Sequence, residues 1–243
     1  ARSPRVTAMG VTLGGTVLDG LVADAGHLGW TDVPLAEALT LATGVPTAVD
    51  NDVQALTAAE HWFGASAGLD SMAVITIGAG VGTGLVVGGR LVRGAHGLPP
   101  RFDHVLVDPN GPACGCGRRG CVSSYLLTSV ILRRLDGTPT YEEALDRVRR
   151  GDPRARRVFD DAGYALGALI GTVANAVDPQ KVLLTGEGLP LYEVASRLVR
   201  DGFEDTYQDD PDLIELDVRP FDFSEWARSA AAVAIRATIA GTG

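Results

Sequence analysis

Short apolar runs along the chain alternate with longer segments in which apolar and polar positions recur at helical spacing. The runs of strand length lie at 6–13, 17–22, 72–77, 84–87 and 181–186. The segments that we interpret as helices lie at 34–43, 53–63, 141–150, 155–176, 191–201 and 226–240. The Gly-Gly pair between the first two runs predicts a β-hairpin. Because strands and helices alternate throughout, the sequence predicts an α/β fold.

Composition narrows the class of protein. The chain has 243 residues, of which 46% are hydrophobic and 21% are charged, so wholesale disorder is excluded. The net charge of −9 argues against nucleic-acid phosphates as direct partners of this chain. We find no run of eighteen apolar residues and no cationic leader followed by an apolar stretch, and we therefore expect a cytoplasmic protein with no membrane partner.

All three cysteines of the chain lie in one short segment, CGCGRRGC, at Cys114, Cys116 and Cys121. Three thiols cannot all pair internally, which disfavours a disulfide scaffold. The glycines between them allow the thiolates to converge, and His104 upstream supplies the fourth donor that tetrahedral zinc requires. Such a closed shell leaves no position for water, so we expect a structural Zn²⁺ ion. The alternative is three inert thiols beside an unrelated histidine.

The cysteine segment also carries a family resemblance. HVLVDPNGPACGCGRRGC resembles the signature of the ROK family (repressors, open reading frames and sugar kinases), in which this cluster binds structural zinc. LGWTDVPLAEAL, VDNDVQALTAAEHWFG, ITIGAGVGTGLVVGGRLVRGAHG and DPQKVLLTGEG follow in the family's order, so the resemblance covers nearly the whole chain. It implies the actin-like ATPase (ribonuclease H-like) fold, with two α/β domains, an interdomain ligand cleft and an incomplete first domain.

The resemblance also implies a domain division and an assembly. Residues 1–50, joined by the C-terminal helix 226–240, would be the remainder of the N-terminal α/β domain. Residues 51–225 would form the larger C-terminal domain, with the zinc loop at 97–124. The chain lacks the D-x-G-G-T phosphate loop of the family's kinases, and we expect that loop, and any DNA-binding module, to precede Ala1. The family further suggests a homodimer or a higher homo-oligomer.

Asn51 and Asp52 are the last two residues of the segment VDND, at the end of a short apolar run. Asp52 lies at the family's catalytic-base position, where a carboxylate can accept a sugar-hydroxyl proton during phosphoryl transfer. It is catalytic only if the protein is a kinase, and vestigial otherwise. Asn51 matches a residue that holds sugar hydroxyls. The residues alone fit equally well a second interpretation, in which Asn51 and Asp52 cap the helix that starts at Val53.

A glycine run resembles the family's second phosphate loop. In GAGVG, Gly78, Gly80 and Gly82 would let backbone N–H groups approach an anion without obstruction by side chains. By itself, such a run between strands is more typical of a plain hairpin turn.

A second glycine segment, TGEG, falls on the nucleotide side of the family's site. Gly186 and Gly188 lie where the family usually has Gly-Gly before the adenosine. Glu187 stands in place of a glycine and adds bulk and negative charge, which we expect to disfavour the close approach of a nucleotide.

The residues at the family's sugar-binding positions differ most from the family pattern. Sugar-binding members carry Glu in an E-I-G-H element, whereas this chain reads RFDH, with Arg101 at the Glu position and Asp103 at the Gly position. The family has a second Glu two residues after the last cysteine, and this chain has Ser123 at that position. A guanidinium only donates hydrogen bonds, so Arg101 would pair with Asp103 or Asp52, or bind an anionic ligand. The candidate ligand-binding residues are Asn51, Asp52, Arg101, His104 and Ser123.

These observations favour one function over two others. The first is the effector-binding and oligomerisation domain of a ROK transcriptional regulator of sugar metabolism, without kinase activity. It would bind a sugar or sugar-derived effector, and would contact DNA only through an N-terminal winged helix outside this chain. EWARSAAAVAIRATI resembles the C-terminal helix of that branch, although its composition fits a packed alanine-rich terminus equally well. The second is a glucokinase-like, Mg-ATP-dependent hexose kinase with Asp52 as base. The third is a zinc-stabilised scaffold that has lost ligand binding.

Overall fold

The computed structural model describes residues 6–136, 138 and 140–239. The strands are β1 (Met9–Leu13), β2 (Thr16–Leu18), β3 (Leu21–Ala25), β4 (Trp30–Val33), β5 (Thr47–Asn51), β6 (Met72–Ile77), β7 (Val81–Val87), β8 (Arg90–Leu91), β9 (Lys181–Thr185) and β10 (Glu215–Val218). The helices are α1 (Leu35–Thr43), α2 (Asp52–Phe63), α3 (Ser123–Leu126), α4 (Thr128–Arg134), α5 (Tyr141–Arg149), α6 (Pro153–Val177), α7 (Leu191–Thr206) and α8 (Ser224–Ile239). The expected mixture of strands and helices is confirmed, but they do not alternate throughout, because strands β1 to β4 and helices α3 to α6 each follow one another directly.

The chain divides into two compact units. The first contains 1–69, 84–100 and 222–243, and the second contains 70–83 and 101–221. This differs from the division expected at residue 50, because α2 belongs to the first unit. There α2 packs against α8, with the Arg236 guanidinium 5.2 Å from the centre of the Trp62 ring.

The first unit is built on β1 and β5, which pair in parallel with Val11 opposite Val49. The expected hairpin between the first two apolar runs is therefore wrong. The hairpin instead joins β2 and β3, because Asp19 (φ 48°) and Gly20 (φ 83°) form the turn. Asp-Gly favours a two-residue turn in which both central residues have positive φ.

The alanine-rich α8 lies directly on β1. A β-carbon added to Gly10 would overlap the carbonyl oxygen of Ala230, so the backbones of strand and helix touch. The Thr12 hydroxyl also donates to the Trp226 carbonyl, at 3.4 Å. Small residues on both elements permit this approach, which explains why the terminal helix carries so many alanines.

The second unit has a parallel core. Strands β10, β9 and β6 lie side by side in parallel. In the first unit, the end of β7 pairs antiparallel with β8. Both β6 and β9 are buried along their whole length, as expected for parallel strands covered on both faces. Helices α6 and α7 pack closely, since Gly167 and Gly202 leave room for the facing backbone. None of the described helices combines the length and apolar character that a membrane crossing requires.

Candidate metal and ligand sites

The second unit brings the three cysteines and His104 together. The donor atoms of His104, Cys114, Cys116 and Cys121 all lie within 4.8 Å of one another. The Cys114 Sγ lies 3.5 Å from the His104 Nδ1, and the Cys116 Sγ lies 3.7 Å from the Cys121 Sγ. Zinc bonds of about 2.3 Å to sulfur and about 2.0–2.1 Å to nitrogen imply tetrahedral edges of roughly 3.5–3.8 Å. The donor set therefore fits a tetrahedral zinc ion.

A tight turn brings the donors together. The Cys114 N–H donates to the Arg118 carbonyl at 2.8 Å, and the Gly117 N–H donates to the Cys114 carbonyl at 3.0 Å. Gly117 adopts a φ of 87°, which glycine reaches without strain. Gly120 is required for a second reason, because an added β-carbon would overlap the carbonyl oxygen of Asp108. The glycines in the motif therefore shape the loop around the donor atoms.

The thiols differ in acidity. The pKa of Cys116 is lowered to about 6, first by a hydrogen bond from the Arg118 backbone and next by the Arg118 guanidinium. Burial, followed by the neighbouring thiols, raises the pKa of Cys121 to about 11. Metal ions bind cysteine as the thiolate, so a bound cation would have to offset the effect of burial on Cys121.

The outer nitrogen of His104 faces a carboxylate. The His104 Nε2 lies 3.2 Å from the Asp103 Oδ2, and the Arg101 Nη2 lies 3.7 Å from the same oxygen. Ser123 donates twice to the Asp103 carbonyl, from its N–H at 2.9 Å and from its hydroxyl at 2.6 Å. Of the three possibilities considered for Arg101, the ion pair with Asp103 is the one found. Both residues that stand in for the family's sugar carboxylates thus contact Asp103.

In the first unit, both the oxygen and the nitrogen of the Asn51 side-chain amide form hydrogen bonds to the backbone. Its Oδ1 accepts from the Gln54 N–H at 3.0 Å and its Nδ2 donates to the Gly15 carbonyl at 2.9 Å. The helix-cap interpretation of Asn51 is therefore confirmed. Asp52 is the first residue of α2, and its Oδ1 accepts from the Val53 N–H at 2.8 Å.

His27 is a residue near Asp52 that sequence reasoning missed. A β-carbon added to Gly14 would lie 3.4 Å from both the Asp52 Oδ2 and the His27 Cε1, so the carboxylate and the imidazole flank the same small gap. His27 follows β3 and is exposed. The glycine pair in LGGT is the sequence feature that could have indicated this gap, because Gly14 has no side chain to fill it.

The glycine run forms the turn between β6 and β7, as the plain hairpin interpretation requires. Within the turn, the Gly78 N–H donates to the Gly80 carbonyl at 3.0 Å. The Thr128 N–H donates to the Gly78 carbonyl at 3.0 Å, which fixes the turn to the start of α4. Gly82 lies in β7 itself.

The second glycine segment packs on the end of β6. Gly186 has a φ of 109°, and an added β-carbon would overlap the Ile77 carbonyl. The Gly188 N–H donates to that carbonyl at 2.8 Å. Between the two glycines, the Glu187 carboxylate lies against Gly78, where an added β-carbon would overlap its Oε2. Glu187 therefore covers the first residue of the turn that resembles a phosphate loop.

A cavity of about 510 Å³ in the second unit lies between the donor cluster and the glycine turn after β6. Its lining includes Gly80 from the turn, His104 and Cys116 from the donor cluster, and Ser123 and Arg133 from the helices beyond. Of the candidate ligand residues, His104 and Ser123 share this cavity, whereas Asn51 and Asp52 belong to the first unit.

The family model described as ROK family matches residues 1–216. The chain belongs to the ROK family. The actin-like ATPase fold and the mixed α/β class expected from the sequence are thereby confirmed, since ROK proteins of known structure superpose on almost the whole chain.

ROK proteins with two kinds of activity resemble this chain. A glucokinase from Halalkalibacterium halodurans is 34% identical over 186 residues, which cover 69% of this chain and 56% of that protein. A glucokinase structure from Streptomyces griseus, in complex with glucose and AMPPNP, has a TM-score of 0.78 and 27% identity, covering 96% of this chain and 82% of that chain. A ROK transcriptional regulator homologous to the Escherichia coli MLC protein has a TM-score of 0.80 and 28% identity, covering 94% and 62%. The chain thus spans little more than half of the first of these relatives.

Proposed function

We propose that this chain is the effector-binding and oligomerisation domain of a ROK transcriptional regulator of sugar metabolism, without kinase activity. The observation that carries the proposal is the Glu187 carboxylate against Gly78. Ligands of open α/β sheets bind beyond the carboxyl ends of parallel strands, and β6 and β9 both end at this point. A nucleotide polyphosphate brought to the turn would meet a negative charge where the family offers glycine.

The sugar side supports the same function. Ser123 is 5% exposed and its hydroxyl donates to the Asp103 carbonyl, while Arg101 pairs with the Asp103 carboxylate. Neither residue offers the carboxylate acceptors with which the family is expected to hold a hexose. A sugar or sugar-derived effector would therefore contact the cavity beside His104 through other lining groups, such as the Ser129 hydroxyl and the Arg133 guanidinium.

We further propose that His104, Cys114, Cys116 and Cys121 hold a zinc ion. When bound, the ion would supply a fixed tetrahedral cross-link and no reaction step, because all four positions are filled by protein donors. The loop it would fix carries Ser123 at its end, so the ion would also shape the wall of the proposed effector cavity.

Assembly and location follow from the same proposal. We expect a homodimer or a higher homo-oligomer in the cytoplasm, and DNA contact only through a winged helix that is not part of this chain. The net charge of −9 fits a domain that leaves DNA phosphates to another part of the protein.

The second candidate is an ATP-dependent sugar kinase. It is favoured by the position of Asp52, whose Oδ2 borders the gap over Gly14 opposite His27, and by the similarity to a glucokinase. In that case Asp52 would accept the proton of a hexose hydroxyl, with Mg-ATP as phosphoryl donor.

One set of measurements on the full-length protein separates the two. A coupled assay with Mg-ATP and a panel of hexoses should give no turnover above that of Asp52→Asn. Fluorescence anisotropy with operator DNA should change when the effector sugar is added. Sugar-dependent ATP turnover that Asp52→Asn abolishes would overturn the regulator and support the kinase.

A further inference from the structure

We propose that Asp103 positions His104 as a metal ligand, and that Arg101 and Ser123 hold Asp103 in place for this role. The proposal rests on the zinc site proposed above. It concerns three positions at which this chain departs from the sugar-binding pattern expected of its family, and it gives the three residues one shared task.

The two ring nitrogens of His104 have different neighbours. Nδ1 lies 3.5 Å from the Cys114 Sγ, within the donor cluster, and Nε2 lies 3.2 Å from the Asp103 Oδ2. A histidine that binds metal through Nδ1 carries its proton on Nε2. A carboxylate beside that proton fixes the tautomer and the orientation of the ring, and raises the basicity of the coordinating nitrogen.

Asp103 is itself held at both ends. Its backbone carbonyl accepts from the Ser123 N–H and from the Ser123 hydroxyl, and Ser123 is buried. Its carboxylate, 21% exposed, also lies 3.7 Å from the Arg101 Nη2, whose side chain is 67% exposed. An exposed ion pair contributes little, so the backbone anchor from Ser123 should matter more than Arg101.

This arrangement also restricts what His104 can do for a ligand. With Nδ1 on the metal and Nε2 beside Asp103, neither ring nitrogen remains free. Effector specificity in the neighbouring cavity would then depend on other lining groups, such as Ser129 and Arg133. Asp103 lines the same cavity, but its carboxylate faces the His104 Nε2 and the Arg101 guanidinium.

The test measures zinc release from the zinc-loaded protein into a colorimetric chelator. We expect Asp103→Asn to weaken zinc binding by about 10- to 100-fold, the usual effect of losing a carboxylate behind a histidine ligand. Ser123→Ala, which keeps the carboxylate and loses one of the two bonds to the Asp103 carbonyl, should give a smaller effect, and Arg101→Ala the smallest. Asp50→Asn is the matched control, because it breaks an ion pair with Arg93 in the first unit.

The outcomes distinguish failure of the positioning role from failure of the proposed zinc site. Release from Asp103→Asn and Ser123→Ala at the wild-type rate would overturn the positioning role and leave the zinc site intact. A wild-type protein that binds no zinc would overturn both. NMR of the ring nitrogens gives a second readout, since the proton on the His104 Nε2 should lose its carboxylate acceptor in Asp103→Asn.

Discussion

The Glu187 carboxylate lies against the α-carbon of Gly78, so that an added β-carbon on Gly78 would overlap the Glu187 Oε2. We expect Glu187→Gly to bind AMPPNP at least about fivefold more tightly than the wild-type protein. Like charges about 4 Å apart repel by about 1 kcal/mol even in water, which corresponds to about fivefold in affinity. Isothermal titration calorimetry measures the effect.

Glu187→Gln is the matched control, because it keeps the bulk of the side chain and removes only its charge. Tighter binding by both variants would assign the effect to charge, and tighter binding by Glu187→Gly alone would assign it to bulk. Equal binding by all three proteins would show that Glu187 does not limit nucleotide access.

Loss of one donor should empty the proposed zinc site. We expect Cys116→Ser to contain much less than one zinc per chain and to unfold at a lower temperature. A loss of about 2 kcal/mol would lower Tm by about 4–8 °C in a domain of this size. Elemental analysis and calorimetry measure the two effects. Chelator should lower the Tm of the wild-type protein but not that of the variant, and wild-type protein free of zinc would contradict the assignment.

The contact between β1 and α8 should be sensitive to a single methyl group. An added β-carbon at Gly10 would overlap the Ala230 carbonyl oxygen, so we expect Gly10→Ala to lower the free energy of unfolding by about 1–3 kcal/mol. Urea denaturation measures the loss. Gly26→Ala is the control, since an added β-carbon there meets nothing within 4 Å, and an equal loss from both variants would contradict the contact.

A charge cluster on β9 and β10 should make stability depend on pH. The Arg219 guanidinium and the buried Lys181 lower the pKa of Asp217. A carboxyl whose folded-state pKa is lowered stabilises the protein above the unfolded-state value of about 3.9, and this contribution is lost as the pH falls through the folded-state pKa.

Asp217→Asn tests this contribution. We expect it to cost about 1–3 kcal/mol at neutral pH, with the difference from wild type shrinking below about pH 4. Asp212→Asn breaks an exposed ion pair with Arg200 and should cost less than about 1 kcal/mol. A difference between wild type and Asp217→Asn that stays constant down to about pH 3 would contradict the role of Asp217.

The sequence predicted most elements because their signals are local. Asn51 before α2 and the buried apolar runs of β6 and β9 all appear where expected. The partner of β1 was mispredicted because strand pairing is a non-local property. Val11 faces Val49 in parallel, and only the Asp19-Gly20 turn indicated where the hairpin lies.

The candidate sites also differ in whether local or non-local contacts form them. The four metal donors lie close together in the sequence, and their spacing was enough to predict that they converge. The neighbourhood of His27 and Asp52 could not be predicted, because it depends on how three separate segments meet at Gly14. The contacts of Asp103 were only partly foreseen: Arg101 was a considered partner, whereas the outer nitrogen of His104 was not.

The contact of β1 with α8 has a consequence for the order of folding. The hydrogen bond from Thr12 to Trp226 spans 214 positions, so the first unit is completed only after almost the whole chain has left the ribosome. The segment 101–221 of the second unit is continuous and precedes α8 in synthesis. Contacts between residues so far apart in the sequence form slowly, so we expect the first unit to fold after the second.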